Sequence, residues 1–266
     1  MNGRGNAAPA RTRPYARTSA PASPEAAEAA QEWEALLYDW HNEHRLRRQQ
    51  RDIAYWLNLT DRDDRLLVLG AGTGRVAVPL AEHRDRGVTA VDTSPARLRR
   101  MPQARGLAPV CADMRELPLR GRFDAVVVPY STLQLLPTAD DRRRALAEAA
   151  RVLPPGAHIH IDVSGNFDTR TATDWRLVLA EPCPEACGTV EEWERQTPLP
   201  DHVLIEKSFR VGDHALTEVQ ERWARLDSLQ LETALDRAGF DLAGTDHGYG
   251  AGASPHRLIH HGRRRP

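Results

Sequence analysis

Three glycines alternate in the run Leu66-Leu67-Val68-Leu69-Gly70-Ala71-Gly72-Thr73-Gly74. Alternating glycines let the backbone take positive φ and let a ligand reach the main chain with no Cβ in the way. The apolar residues ahead of them, bounded by Asp63-Asp64-Arg65, predict a buried parallel strand. Arg75 to Ala81 is expected to follow as a helix, so its free N–H groups would point back at the loop and favour an acceptor-rich ligand. Asp92 ends the next apolar run, Val88-Thr89-Ala90-Val91, about twenty residues past Gly72, where a nucleotide-binding fold holds a ribose. The spacing is Gly-x-Gly-x-Gly, with Arg75 at the last position of the dinucleotide pattern, so the loop is not a dinucleotide fingerprint.

Those residues need a scaffold, and the chain supplies one in alternating strands and helices. Leu107 to Cys111 and Phe123 to Val128 read as the third and fourth strands, and Ala157 to Val163 as the fifth. Ser94 with Pro95 caps a helix, and Thr138 with Asp141 forms a capping box that opens another over Arg142 to Leu153. This rhythm predicts an α/β fold with a doubly wound, mostly parallel, Rossmann-like sheet of seven strands. After Ser164-Gly165-Asn166 the rhythm breaks. Residues 174 to 226 alternate like strands, with Val203, Ile205, Phe209 and Val211 on one face and a hairpin turn at Gly212-Asp213. An antiparallel hairpin or small sheet is expected there, then a helix from a Ser228 cap to Arg237 and two closing strands, the last over Arg257 to His260. The organisation expected is a disordered tail over 1–24, N-terminal helices over 25–62, the α/β core over 63–165, the insertion over 166–227, core completion over 228–262 and a solvated basic tail over 263–266.

Four blocks in order and spacing then carry a resemblance. Gly70 to Leu80, Val88 to Pro95, Cys111-Ala112-Asp113-Met114 and Arg122 to Val128 together resemble the class I S-adenosylmethionine-dependent methyltransferases. The resemblance implies S-adenosylmethionine as cofactor. Gly70, Ala71, Gly72 and Gly74 would admit its methionine portion and ribose, and Asp92, followed by Thr93, would accept from the ribose hydroxyls. Asp113 would accept from the adenine amine with Met114 flanking the ring, and Pro129 and Tyr130 would sit beside the transferable methyl group. The alternative for Asp113 is a loop carboxylate that caps its own turn. The N-terminal helices would form part of a lid, bringing Tyr38, Tyr55 and Trp56 to the substrate; packing of these aromatics on the sheet is the other reading. Two departures stand out. Val68 occupies the place of the family's usual acidic residue, and Leu135 the place of a histidine in a Leu-Gln-His-Leu block.

Methyl transfer depends chiefly on positioning, and a general base helps when the acceptor is a hydroxyl. Tyr130, Tyr38, His41 and His202 are the candidates, with Tyr130 and His202 put forward as catalytic. Cys183 and Cys187 are read as thiols rather than metal ligands. With 36 basic and 37 acidic residues the net charge is −1, which argues against nucleic-acid or membrane-surface partners. Three cysteines and no long apolar run suit a cytoplasmic enzyme. The expected function is therefore O-, N- or C-methylation of a small molecule, in bacterial secondary metabolism, with a homodimer paired through the insertion as one option. A cofactor-binding enzyme of this fold that transfers no methyl group, and a binding protein with a decayed site, are the alternatives.

Overall fold

The computed structural model describes residues 23–46, 51–83, 87–165, 171–250 and 257–266. Strand β1 (Arg65–Leu69) lies inside the larger sheet, because Leu66 to Leu69 offer no polar side to solvent. It pairs in parallel with β2 (Gly87–Asp92) on one side and β4 (Ala125–Val128) on the other. Strand β3 (Leu107–Cys111) joins outside β2, and β5 (His158–Ser164) outside β4. Strands β10 (Phe240–His247) and β11 (Arg257–Arg264) close the other edge antiparallel, giving the order β10-β11-β5-β4-β1-β2-β3. The seven-stranded, mostly parallel sheet is as expected. Strand order reverses between β1 and β4, which opens a crevice at their carboxyl ends.

Successive residues of a strand face opposite sides of a sheet, so each apolar strand feeds two cores. Leu67, Leu69, Val126 and Val128 pack against α5 (Ala139–Val152) and α6 (Ser228–Arg237). Leu66, Val68 and Val127 pack with Trp56 of α2 (Arg51–Leu59) and Leu80 of α3 (Ala77–Glu82). Burial of each such side chain contributes on the order of 1.5–3 kcal/mol.

Local signals fixed several boundaries. Ser94 Oγ accepts from Arg97 N–H at 3.2 Å and caps α4 (Pro95–Arg100). Thr138 and Asp141 exchange both bonds of a capping box ahead of α5. Other boundaries move. Helix α3 starts at Ala77 rather than Arg75, because Gly74 at φ +92 keeps the chain turning. Asp227, not Ser228, caps α6: its Oδ1 accepts from Gln230 N–H at 2.7 Å, and Gln230 Oε1 accepts back from Asp227 N–H. The last strand runs to Arg264 instead of stopping at His260. Arg264 N–H donates to Ala157 O at 2.8 Å and its guanidinium reaches Ala150 O and Gly239 O, so residues 263–264 are sheet rather than solvated tail.

The insertion is a four-stranded antiparallel meander of β6 (Thr173–Cys183), β7 (Gly188–Pro198), β8 (His202–Val211) and β9 (His214–Ala224). One face carries Val190 and Phe209, which pack on Leu37 and Trp40 of α1 (Pro24–Leu46). Gln134, fully buried, stitches this sheet to the core: its amide oxygen accepts from Ser164 N–H at 2.8 Å, and its amide nitrogen donates to Ser164 O and Ala224 O. Residues 1–22 of the expected tail lie outside the described residues. Among the described residues no helix is long and apolar enough to cross a membrane.

Candidate active site

The carboxyl ends of β1, β2 and β4 open on a cavity of about 420 Å³, roofed by α1 and the insertion. Its floor is the glycine loop, with Gly70 at φ +73 and Gly72 at φ +57. Both need to be glycine for contact as well as for φ. A Cβ on Gly70 would lie 2.1 Å from Thr132 Cγ2, and one on Gly72 would lie 3.1 Å from the Tyr38 ring. Gly74 faces away, onto Met101 and Val78.

Asp92 ends β2 at the edge of this floor, 8% exposed. Its Oδ2 accepts from Gly72 N–H at 2.8 Å and its Oδ1 from Ser94 N–H at 2.9 Å. Each oxygen keeps a lone pair, so a carboxylate already fixed to the loop can accept from a vicinal diol. Ala112, Met114 and Leu136 give the neighbouring wall an apolar surface suited to a flat ring, beside Thr93 and Asp113. The Asp113 carboxylate is held by the Arg115 guanidinium and accepts from Arg115 N–H at 2.8 Å. It therefore caps its own turn, and the bonds from Arg115 hold its pKa below the usual carboxylate range.

Beyond β4 the backbone is strained. Tyr130 (φ 53) and Ser131 (φ 63) are consecutive non-glycine residues in the left-handed region. Asp162 on β5 holds them there. Its Oδ2 accepts from Tyr130 N–H at 2.8 Å, its carbonyl accepts from Ser131 N–H at 3.0 Å, and the Tyr249 hydroxyl donates to the same carboxylate. Arg257 pairs with Asp162 Oδ1 at 2.9 Å and donates to Ser131 Oγ at 3.0 Å. The Tyr130 ring has two guanidiniums against it, Arg257 at 4.9 Å and Arg75 at 5.1 Å from its centroid. Arg75 is itself paired with the buried Asp52 at 2.6 Å.

The roof is charged. Lys207 of β8 pairs with Glu221 of β9 at 3.2 Å, next to Phe209, Val219 and Trp223. Burial opposes the Lys207 charge, but Glu221 and Glu192 outweigh it and raise its pKa; the same pairing lowers that of Glu221 against its own burial. From α1, Glu34 pairs with Arg97, whose guanidinium covers the Tyr38 ring at 4.2 Å. Burial pushes the Tyr38 hydroxyl above its ordinary pKa. His41 lines the cavity one turn further on, its Nδ1 2.6 Å from Glu192.

Of the residues singled out from sequence, Gly70, Ala71, Asp92, Thr93, Asp113, Met114, Pro129, Tyr130, Tyr38 and His41 all line this cavity. Three do not. Trp56, 1% exposed, is packed with Leu66 and Val68 in the core under the sheet. Tyr55 donates to Asp246 at 2.7 Å at the opposite edge. His202 starts β8, with Nδ1 2.8 Å from Asp201, and is not among the residues that line the cavity. The face of α2 that carries these aromatics turns to the sheet, which corrects the expectation of a substrate role for Tyr55 and Trp56, and His202 is likewise no catalytic candidate. Cys183 is buried and Cys187 exposed, both free thiols. Sequence reasoning missed Arg257, Asp162, Lys207, Glu221 and Glu192. The available signal was Lys207, the one lysine among the basic residues, with acidic residues at inward positions of neighbouring strands.

Comparison with known proteins bears on the same residues. Residues 66–156 match the family model described as a methyltransferase domain. Trans-aconitate 2-methyltransferase of Rhodococcus jostii is 33% identical over 135 residues, 50% of this chain and 48% of that protein. The chain thus spans about half the length of this relative, and 43% of a putative methyltransferase of Bacillus subtilis. Among solved structures, an S-adenosylmethionine-dependent methyltransferase from Clostridium acetobutylicum superposes with TM-score 0.73 at 13% identity, over 86% of this chain and 98% of that one. The sugar N-methyltransferase KedS8 from Streptoalloteichus sp superposes with TM-score 0.66 at 20% identity, over 98% and 100%.

Proposed function

We propose, for a chain whose residues 66–156 form a methyltransferase domain and whose fold is that of the class I S-adenosylmethionine-dependent methyltransferases, that it transfers the methyl group of S-adenosylmethionine to a small polar molecule. The observation that carries this reading is the Asp92 carboxylate, tied to Gly72 and Ser94 yet open to the cavity. That geometry fits the ribose of the cofactor. Gly70 and Ala71 would lie against its methionine portion, and Met114 and Ala112 against its adenine. The bound cofactor supplies an electrophilic methyl group on a sulfonium.

The protein's own task is then to place an acceptor in line and keep water out. Tyr130, fixed by Asp162 and Arg257, would form one wall of the acceptor chamber, and Phe209, Val219 and Trp223 the apolar part of its roof. Val68 is fully buried among Trp56 and Leu66, so it contributes packing where the family's usual acid would contribute charge. Leu135, 40% exposed, lines the cavity with an apolar side chain.

A natural-product setting in the cytoplasm belongs to the same proposal, supported by the free cysteines and by the sugar N-methyltransferase named above. So does pairing of two subunits through the insertion, which sedimentation velocity would test. The function itself is tested by mass spectrometry of small molecules retained through purification, with transfer of label from S-adenosyl[methyl-14C]methionine to a deproteinised cell extract. Retained cofactor and a labelled product are expected. Absence of a labelled product would overturn the proposal.

A further inference from the structure

We propose that His41, oriented by the buried Glu192, is the general base of the reaction, and that the acceptor is therefore a heteroatom bearing a proton, an ammonium or a hydroxyl. The inference rests on the methyltransferase reading above and names the residue that reading leaves open. Glu192 is fully buried on β7. A carboxylate only accepts, so the 2.6 Å contact places the ring proton on Nδ1 of His41 and leaves Nε2 with its lone pair. His41 lines the cavity, and among the described residues Nε2 has no protein partner. A carboxylate behind an imidazole fixes its tautomer and stabilises the imidazolium that forms on proton uptake.

A merely structural pin between α1 and β7 accounts poorly for what surrounds the pair. The pin would sit beside an apolar seam of Leu37, Trp40, Val190 and Phe209, where an aliphatic pair would hold the helix without burying a charge. Glu192 Oε1 is moreover buried with no hydrogen-bond partner, a cost that hydrogen bonding within the fold does not offset. Charged groups from several elements lie near the pair. Glu34 and Tyr38 lie on the same helix as His41, with Arg97 of α4 on Glu34. Glu192 and Glu194 come from β7, the latter bound to Arg176, and Lys207 and Glu221 from β8 and β9. Arg75 and Asp92 complete the floor.

In the step so assigned, the acceptor lone pair bonds the methyl carbon as the carbon–sulfur pair leaves with sulfur. A hydroxyl gives its proton to His41 Nε2 as this bond forms, whereas an ammonium gives it to Nε2 beforehand and so frees the lone pair; in both cases S-adenosylhomocysteine departs neutral at sulfur.

The test uses the full chain, S-adenosyl[methyl-14C]methionine and the deproteinised extract as acceptor pool. His41→Gln keeps a donor toward Glu192 and so keeps the fold. It is expected to lower kcat by about 100-fold or more, to leave S-adenosylhomocysteine affinity by calorimetry within about threefold, and to abolish the acid limb of the pH profile. Added imidazole should restore part of the turnover of His41→Ala. Glu192→Gln, removing the carboxylate that orients the ring, should lower turnover by about tenfold or more and leave S-adenosylhomocysteine affinity unchanged. If His41→Gln transfers label within about threefold of wild type, the base assignment is overturned while the methyltransferase reading stands. If wild type binds S-adenosylhomocysteine and labels nothing, both fall.

Discussion

Replacing Asp162 with Asn should destabilise the protein far more than a change of one atom suggests. The carboxylate is fully buried and serves Tyr130 N–H, the Tyr249 hydroxyl and Arg257 at once. An amide keeps one acceptor oxygen, so at least one donor loses its partner, and the Arg257 guanidinium loses its counter-charge. Breaking a buried pair from one side costs about 3–5 kcal/mol. The Arg257 side chain is 21% exposed and can draw some water, which argues for the lower end, about 3 kcal/mol. Urea unfolding measures it. A double variant with Arg257→Met removes the orphaned charge as well and should recover about 1.5 kcal/mol or more. The left-handed backbone at Tyr130 and Ser131 loses its tether in both variants, so turnover should fall in both. A loss under about 1 kcal/mol in the single variant, or simple additivity in the double, would refute the idea that this pair pins the strained turn.

Asp92→Asn removes one charge-assisted acceptor facing the cavity and turns an amide donor toward Gly72 or Ser94 N–H. S-adenosylhomocysteine affinity by calorimetry should weaken by about 100-fold, equivalent to about 3 kcal/mol of lost hydrogen bonding. His160 makes stability depend on acidity. Burial, with the neighbouring His261 and His158 charges, holds its pKa at about 3. Between there and the unfolded value of about 6.5 only the unfolded chain takes the proton, so stability is complete above about pH 6.5 and is lost as pH falls towards 3. Urea unfolding of His160→Gln should show a shallower decline between about pH 6.5 and 4 than wild type. Tyr55→Phe deletes the bond to Asp246 at the sheet edge and should cost about 1 kcal/mol or less with turnover unchanged, because the side chain lies outside the cavity.

What could be read from sequence was whatever a short window determines. The run Leu66 to Gly74 specifies a strand and a loop by itself, and Ser94 and Thr138 cap their helices through bonds to residues three positions on. Asp92 follows because β2 must end beside the loop. Side-chain direction was not local. Tyr55 and Trp56 sit on a short helix whose rotation is set by the sheet beneath it, so their aromatic character said nothing of which face they occupy. The Asp162–Arg257 pair joins residues 95 positions apart. The roof was harder still. Glu192 and Glu194 are buried where an alternating strand would ordinarily show polar residues to water, and only the register with Phe209 and Lys207 places them inward. Cap identity at α6 turned on one position, since Asp227 and Ser228 are both good caps and the reciprocal bonds with Gln230 decide for the carboxylate.

A crystal structure of the chain with S-adenosylhomocysteine would test the whole account at one point. It should show the nucleoside against Gly70 and Ala71, its two ribose hydroxyls within hydrogen-bonding distance of the Asp92 oxygens and its ring beside Met114. A nucleoside bound elsewhere, or a crevice left vacant at saturating ligand, would contradict it.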